Sequence, residues 1–375
     1  METPERPHTV FQAPEPPPGG RVVPPSPLAA TPKERLQQFL KRHGKKLWWL
    51  HSAYALGLGV TIVAVAQKGF DHARMLSVSL GLTWLLVVAF FRVFGSGKEQ
   101  VLPDAADKKA KIRFFVMTYA LKNLYQGMLF FLLPFYWKAT TFDGANGFFV
   151  LLLGLCALLS TLDLVFDRVL LRFRISASVF HGITLFSCLN LVIPALFPDT
   201  RTLYSLVGAA GITAMAFWTV HVRLQTFRRR RYIALFVGSV AASMYIAYLA
   251  RRAVPPVPMY VAHGAVGPQT LANGRLSMEV TTLSPEVIEQ LLGVTDVVVP
   301  GGKGDRLRHV WRRDGAVVHS EGEDTSRVDG PLGTIRLRSA LKGQALPKEL
   351  RGQWSVDVET EDGQLVGRTR FRVGD

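Results

Sequence analysis

Between residues 47 and 250 the chain is made of apolar runs as long as a membrane is thick. A helix rises about 1.5 Å per residue, so crossing a hydrocarbon core of about 30 Å takes about 20 apolar residues. Runs of that length stand at 47–66, 75–94, 114–136, 147–166, 177–197, 203–221 and 232–250, with most of the charge in the short gaps between them. The pattern predicts an α-helical polytopic membrane bundle of about seven transmembrane helices over 47–252, with the lipid bilayer as its first partner. Trp48, Trp49, Tyr136, Trp137 and Tyr232 flank the run ends, where amphipathic rings settle at the headgroup level.

The gaps also orient the bundle. On one side they carry Lys33, Arg35, Lys41, Arg42, Lys45 and Lys46; Arg92, Lys98, Lys108, Lys109, Lys111 and Arg113; Arg168, Arg172 and Arg174; and Arg223 with Arg228 to Arg231. The other side has Lys68, Arg74, Lys138, Arg201, Arg251 and Arg252, so the bias is 20 against 6. Positive charge stays on the cytoplasmic side. The N-terminus is therefore expected in the cytoplasm, and an odd number of spans puts the C-terminal domain across the membrane. The same bias accounts for the net charge of +16, which would otherwise point to nucleic acid. No nucleic-acid partner is expected.

Residues 1–30, with Pro14, Pro16, Pro17, Pro18, Gly19 and Gly20, read as a disordered Pro-rich tail and lack the apolar core of a cleavable signal peptide. At 31–46, Thr31, Pro32 and Glu34 fit a helix start, and Leu36, Phe39 and Leu40 share a face ringed by Lys33, Arg35, Lys41 and Arg42. This segment reads either as a basic amphipathic juxtamembrane helix on anionic headgroups or as a solvated linker. Cys156 and Cys188 both lie inside apolar runs, so no disulfide framework is expected.

Polar residues inside the spans are the pointers to function. Tyr119, Lys122, Asn123 and Gln126 follow helical spacing, which places them on one face of the third span. Lys122 lies roughly 12 Å from the cytoplasmic start of its helix, and Asp163 and His181 roughly 5–6 Å from the cytoplasmic ends of theirs. Lys122 can snorkel toward that level, so Lys122, Asp163 and His181 can meet, with Asp167 one turn below Asp163. Two readings stay open: an ion, proton or anion site, and an ion pair that fixes helix packing. No motif for a cofactor, a metal or a catalytic constellation is present.

Beyond a Pro/Gly-bearing connector at 253–275 the period changes to two, and 276–375 reads as a small all-β domain, an Ig-like sandwich. Leu276–Thr282 is expected as a first strand, and Ser284-Pro285 as the start of a short helix closed by Gly293. His309 and Trp311 alternate with Arg308 and Arg312 and face the core, ahead of an Asp314-Gly315 turn. Trp354, Val356 and Val358 alternate with Asp357 and Glu359. Asp362-Gly363 then turns the chain into Leu365, Gly367, Phe371 and Val373, opposed by Arg368, Arg370 and Arg372. Those arginines read either as a ligand surface or, the favoured reading, as cross-strand partners of Asp357 and Glu359.

His309, Trp311 and Asp314-Gly315, followed by Gly352, Trp354, Val356 and Val358 and then by Asp362-Gly363, Leu365, Gly367, Phe371 and Val373, form a spacing that resembles a bacterial domain of unknown function, the family numbered twenty-nine fourteen in that series. The resemblance covers roughly 290–375, and the multi-span part resembles the family numbered fifty-nine twenty-four. It implies a bacterial envelope location, hence the inner membrane with the β domain in the periplasm, and brings no chemistry. The expectation that follows is a non-enzymatic multi-spanning protein whose β domain binds an envelope protein or glycan. The alternatives are a transporter or channel subunit using the polar cluster and an intramembrane enzyme acting on lipid-linked substrates. The sequence sets no oligomeric state.

Overall fold

The computed structural model describes residues 57, 78, 81–89, 108–162, 165–166, 170, 173–222, 224–269, 271, 276–288, 290–321, 326–329 and 334–374. These residues belong to one compact unit, His51–Asp375. The tail at 1–30, the segment at 31–46 and most of the spans expected at 47–66 and 75–94 lie outside the described residues, although 81–89 is helical.

Among the described residues five longer helices follow: α1 (Lys108–Lys138), α2 (Gly147–Thr161), α3 (Arg174–Leu196), α4 (Thr202–His221) and α5 (Arg230–Leu249). Leu, Ala, Phe and Val fill them, and the two interior prolines, Pro134 and Pro194, fall near the C-terminal ends of α1 and α3. Among the described residues, three stretches are long and apolar enough to cross a membrane: Ile175–Leu196, Thr202–His221 and Arg230–Ala253. The seven expected spans are thus not recovered in full. The span read at 147–166 stops at Thr161, where Leu162 turns extended, which leaves about 22 Å of helix. α1 has length to spare, but Lys122, Asn123 and Gln126 dilute its apolar run.

α1 packs against α2 and α3, α3 against α4, and α4 against α5. Leu121, Leu129 and Leu132 of α1, Leu153 of α2 and Leu191 of α3 share one buried core. Around it, Ile233, Leu235, Val237, Ile246 and Leu249 of α5 stand exposed. Such a patch is costly in water and free of cost in lipid, so these helices are compatible with a membrane protein.

The C-terminal part is a β-sheet domain with nine strands among the described residues: β1 (Tyr260–Gly267), β2 (Thr282–Leu283), β3 (Gln290–Val298), β4 (Leu307–Arg313), β5 (Ala316–Glu321), β6 (Ser326–Asp329), β7 (Thr334–Lys342), β8 (Gly352–Thr360) and β9 (Leu365–Val373). One sheet has the order β1-β3-β7-β6 and the other β2-β9-β8-β4-β5, with all pairs antiparallel except β2–β9. Val266, Leu291 and Leu341 of the first sheet and Trp311, Trp354, Val356 and Phe371 of the second form a common core. Burying one such aromatic side chain contributes about 1.5–3 kcal/mol. Asp314 and Gly315 take positive φ, as a two-residue hairpin turn between β4 and β5 requires.

Three local expectations change. The stretch read as connector contains β1, which pairs with β3 along its length. The first strand expected at Leu276–Thr282 reduces to the two-residue β2. The helix expected from Ser284 to Gly293 is a single turn, Pro285–Val287, and Gly293 sits inside β3. Gly293 is small for a packing reason: a Cβ there would lie 3.2 Å from the Trp311 ring.

Candidate functional site

The polar residues of α1 divide. Lys122 and Gln126 are buried, whereas Tyr119 and Asn123 are exposed, and the Asn123 amide donates to the Tyr119 carbonyl at 2.8 Å. At about 100° per residue the four span an arc of about 100°, and the boundary of the bundle cuts through it. Asp163 and Asp167 lie outside the described residues. His181 is 3% exposed, on the α3 face turned to α1. Its Nδ1 stands 2.8 Å from the hydroxyl of Tyr125, which follows Lys122 by about one helical turn and directly precedes Gln126. Its Nε2 meets no hydrogen-bond partner among the described residues.

Sequence reasoning misses Tyr125, because a tyrosine in an apolar run carries no mark of its partner. Farther along α1, the Tyr136 hydroxyl donates to the Ser187 carbonyl at 3.0 Å and takes the Asn190 amide at 3.2 Å. Asn190 is thereby a helix-to-helix contact. Cys156 and Cys188 are buried free thiols.

A second polar assembly joins the β domain to the helix ends. The β3–β4 loop runs Gly301-Gly302-Lys303-Gly304-Asp305 and lies against the α3–α4 turn. Its glycines permit this. A Cβ at Gly301 would stand 2.7 Å from the Pro194 carbonyl oxygen, and one at Gly304 would collide with the Asp199 carbonyl. The Lys303 N–H donates to the Pro198 carbonyl at 2.8 Å.

Arg201, which precedes α4, places no side-chain cap on the helix. The Thr202 N–H instead donates to Asp305 Oδ2 at 2.9 Å, so the β domain supplies an acceptor for one of the unpaired N–H groups of this helix N-terminus. The Thr202 hydroxyl donates to Gln364 Oε1 at 2.9 Å, Arg201 pairs with Glu361 at 2.8 Å, and Arg251 Nε donates to the Asp362 carbonyl at 2.7 Å. On the α1–α2 turn, the Asn146 amide donates to the Leu365 carbonyl at 3.3 Å, and Asp143 pairs with Arg368 at 2.8 Å and with Arg370. Every one of these contacts falls at the C-terminal ends of α1, α3 and α5 and the N-terminal ends of α2 and α4.

The outer faces of the sheets carry charge in pairs. Arg312 and Arg368 both hold Asp357, which is 1% exposed, at 2.9 and 2.7 Å, and Arg312 also reaches Glu359 at 2.8 Å. The cross-strand pairing read from the sequence is present for Arg368, whereas Arg370 meets Asp143 and Arg372 lies opposite Gln353. On the other sheet, Asp296 and Arg336 make a two-pronged pair at 2.7 and 2.8 Å. Beside it lies a groove of about 290 Å³ with His263 and Glu279 on its rim and Ala265, Leu276 and Val294 on its floor. Its chemistry suits a small ligand with polar edges and one apolar side.

The residues of the C-terminal signature lie in the buried core and in the turns between strands. His309 and Trp311 have no exposed surface. The His309 ring nitrogens meet Ser339 Oγ at 2.7 Å and Thr295 Oγ1 at 3.1 Å, and the Trp311 indole donates to Ser339 Oγ at 3.1 Å. Burial pushes the His309 imidazole down to about 4. Trp354 stacks on Phe371 at 5.9 Å, Gly315 and Gly363 hold turns at positive φ, and a Cβ on Gly367 would collide with Val261. Among the described residues, no group of His, Cys, Asp and Glu is placed to hold a metal ion.

Two family models match the chain. The C-terminal resemblance is matched by the model of DUF2914, described as a protein of unknown function, over residues 304–373. No curated protein and no solved structure matches. The second model covers residues 29–290, well over half of the sequence and all five helices. The chain therefore belongs to the family of unknown function DUF5924.

Proposed function

We propose that this chain is a non-enzymatic multi-spanning protein of a bacterial inner membrane, and that its C-terminal domain, an immunoglobulin-like sandwich on the periplasmic side, binds an envelope component, protein or glycan. One observation carries the reading. The β domain is seated on the helix ends next to Lys138, Arg201 and Arg251, which belong to the sparsely charged side of the 20-to-6 bias. A domain held outside the cytoplasm by a polar seat, with grooved outer faces left open, is built to meet envelope molecules. The strand order supports the sandwich. With β1, β3, β7 and β6 as A, B, E and D, and β9, β8, β4 and β5 as G, F, C and C′, both sheets follow the immunoglobulin arrangement. Trp311 then occupies the place of the buried strand-C tryptophan, and Gly293 and Val356 stand where a disulfide would join strands B and F.

The test uses the full chain in lipid nanodiscs, mixed separately with cell-wall sacculi and with soluble periplasmic extract. Retention of one of them, weakened by Glu279→Ala at the groove rim, is the expected result. If neither is retained at physiological salt, the binding reading fails.

A second reading rests on the buried Lys122, Gln126, Tyr125 and His181: an ion or proton site of a transporter subunit. It requires solute or proton flux from reconstituted protein that is lost in His181→Ala. Flux equal to that of empty vesicles removes it.

A further inference from the structure

The seat of the β domain contains a titratable group to which neither envelope binding nor transport gives a role. Asp305 is 3% exposed. Its Oδ2 accepts the Thr202 N–H, while its Oδ1 meets no hydrogen-bond donor among the described residues. The same holds for Asp362 Oδ2 on the β8–β9 turn.

The neighbouring charges do not fill the gap. From the helical side, Arg201 is turned to Glu361, Arg251 to the Asp362 carbonyl, the Arg252 guanidinium lies along Gly363, and Asp199 presents its backbone carbonyl to Gly304. From the β domain come Glu361, Asp362 and the exposed Lys303 and Arg306. No group here is placed to hold a metal ion, among the described residues. An orphaned carboxylate oxygen, buried beside two further acids, calls for the smallest cation.

We propose that Asp305 is the proton-binding element of a latch, so that protonation of its carboxyl tightens the seat of the β domain on α4 and deprotonation loosens it. Burial pushes the Asp305 carboxyl up to about 6 from 3.8, with Asp362 and Glu361 adding to it against the pull of the Thr202 hydrogen bonds. When the latch opens, the group returns to water and to its ordinary value. The docked state thus binds the proton more tightly. The extra stability is complete below pH 3.8 and is lost as pH rises through about 6. By linkage, the docking equilibrium is about tenfold more favourable at pH 5 than at pH 7.5. The latch works on whichever side of the membrane the domain stands, so it survives or fails independently of the envelope reading.

Amide hydrogen exchange on the full chain in nanodiscs tests it, read at Lys303 and Thr202, whose N–H groups bond across the seat. After correction for intrinsic exchange, protection is expected to rise about tenfold from pH 7.5 to pH 5. Asp305→Asn should flatten that rise, and Asp362→Asn, by removing a like charge, should move its midpoint to lower pH. A flat wild-type profile overturns the latch, and so does a rise that persists in Asp305→Asn. Protection gained with calcium at pH 7.5 but not with acid also overturns it, because the bound cation would then be a metal. If Asp305→Asn fails to fold, the comparison of wild type with Asp362→Asn decides, and equal midpoints overturn the proposal.

Discussion

His309 is expected to set the acid limit of the β domain. Its ring is enclosed and satisfied while neutral, with a hydroxyl at each nitrogen. Its value falls from 6.5 to about 4 on folding, so the unfolded chain takes up a proton that the folded one refuses. For a depressed histidine, stability is intact above pH 6.5 and declines as pH drops toward 4, by about 3 kcal/mol in total. Exchange protection of the β8 amides should therefore fall between pH 7 and 4.5, and His309→Gln should make it insensitive to pH over that range. A His309→Gln variant that keeps the full slope would assign the slope to another group. The opposite sign at Asp305 means that acid tightens the seat while it weakens the sheets. Trp311 is a matter of volume: its ring fills the space over Gly293, and Trp311→Ala should cost about 3–5 kcal/mol in a denaturant titration of the β domain.

Charged strands and a glycine loop divide the work at the level of elements. Arg368 holds an Asp357 that is almost without exposure, and Arg312 shares it. Arg368→Ala should thus cost roughly 1–3 kcal/mol, below the full penalty for an unpaired buried charge. Arg370, 62% exposed, meets an Asp143 that is itself open to solvent, and Arg370→Ala should stay within about 0.5 kcal/mol. Equal losses for the two, measured by denaturant midpoints, would mean that burial does not rank these pairs. Gly304→Ala drives a methyl into the Asp199 carbonyl and should loosen the seat by about 1–3 kcal/mol while leaving the β4–β8 ladder protected.

The pairings of β4 with β5 and of β8 with β9 are legible in the sequence, because period-two alternation and Asp-Gly turns are local signals. The glycine loop is not, because its reason lies in a carbonyl about a hundred residues earlier, and a loop sequence does not name what it touches. The polar face of α1 is half legible for a geometric reason. Spacing groups Tyr119 and Asn123 with Lys122 and Gln126, and only the neighbouring helices decide where that arc passes from buried to exposed. Gly293 misleads for the same kind of reason: a glycine after a short apolar run reads as a helix end, and here it is room for a ring.

For the whole molecule, the seat turns topology into a paired constraint. The turn at 139–146, the turn at 197–201 and the chain after α5 all touch the β domain. If α3, α4 and α5 cross a membrane, as their length and apolarity allow, these segments share the side of the β domain while 224–229 lies on the other. The two native cysteines are buried, so a cysteine placed in an exposed loop is read against a quiet background. Ala145→Cys and Gln225→Cys should then label from opposite sides with a membrane-impermeant thiol reagent. Ala145→Cys should label from the same side on which a reporter fused after Asp375 is active. If the charge bias holds, a phosphatase active only outside the cytoplasm works in that fusion, and a fluorescent protein that needs the cytoplasm stays dark. A bright fluorescent fusion with residue 145 labelled from the cytoplasm would invert the bundle and put the β domain among cytosolic partners, with the seat intact. Residue 145 and the C-terminus on opposite sides would be a different result, because no membrane can separate Asn146 from the Leu365 carbonyl to which it donates, and the seat itself would have to be given up.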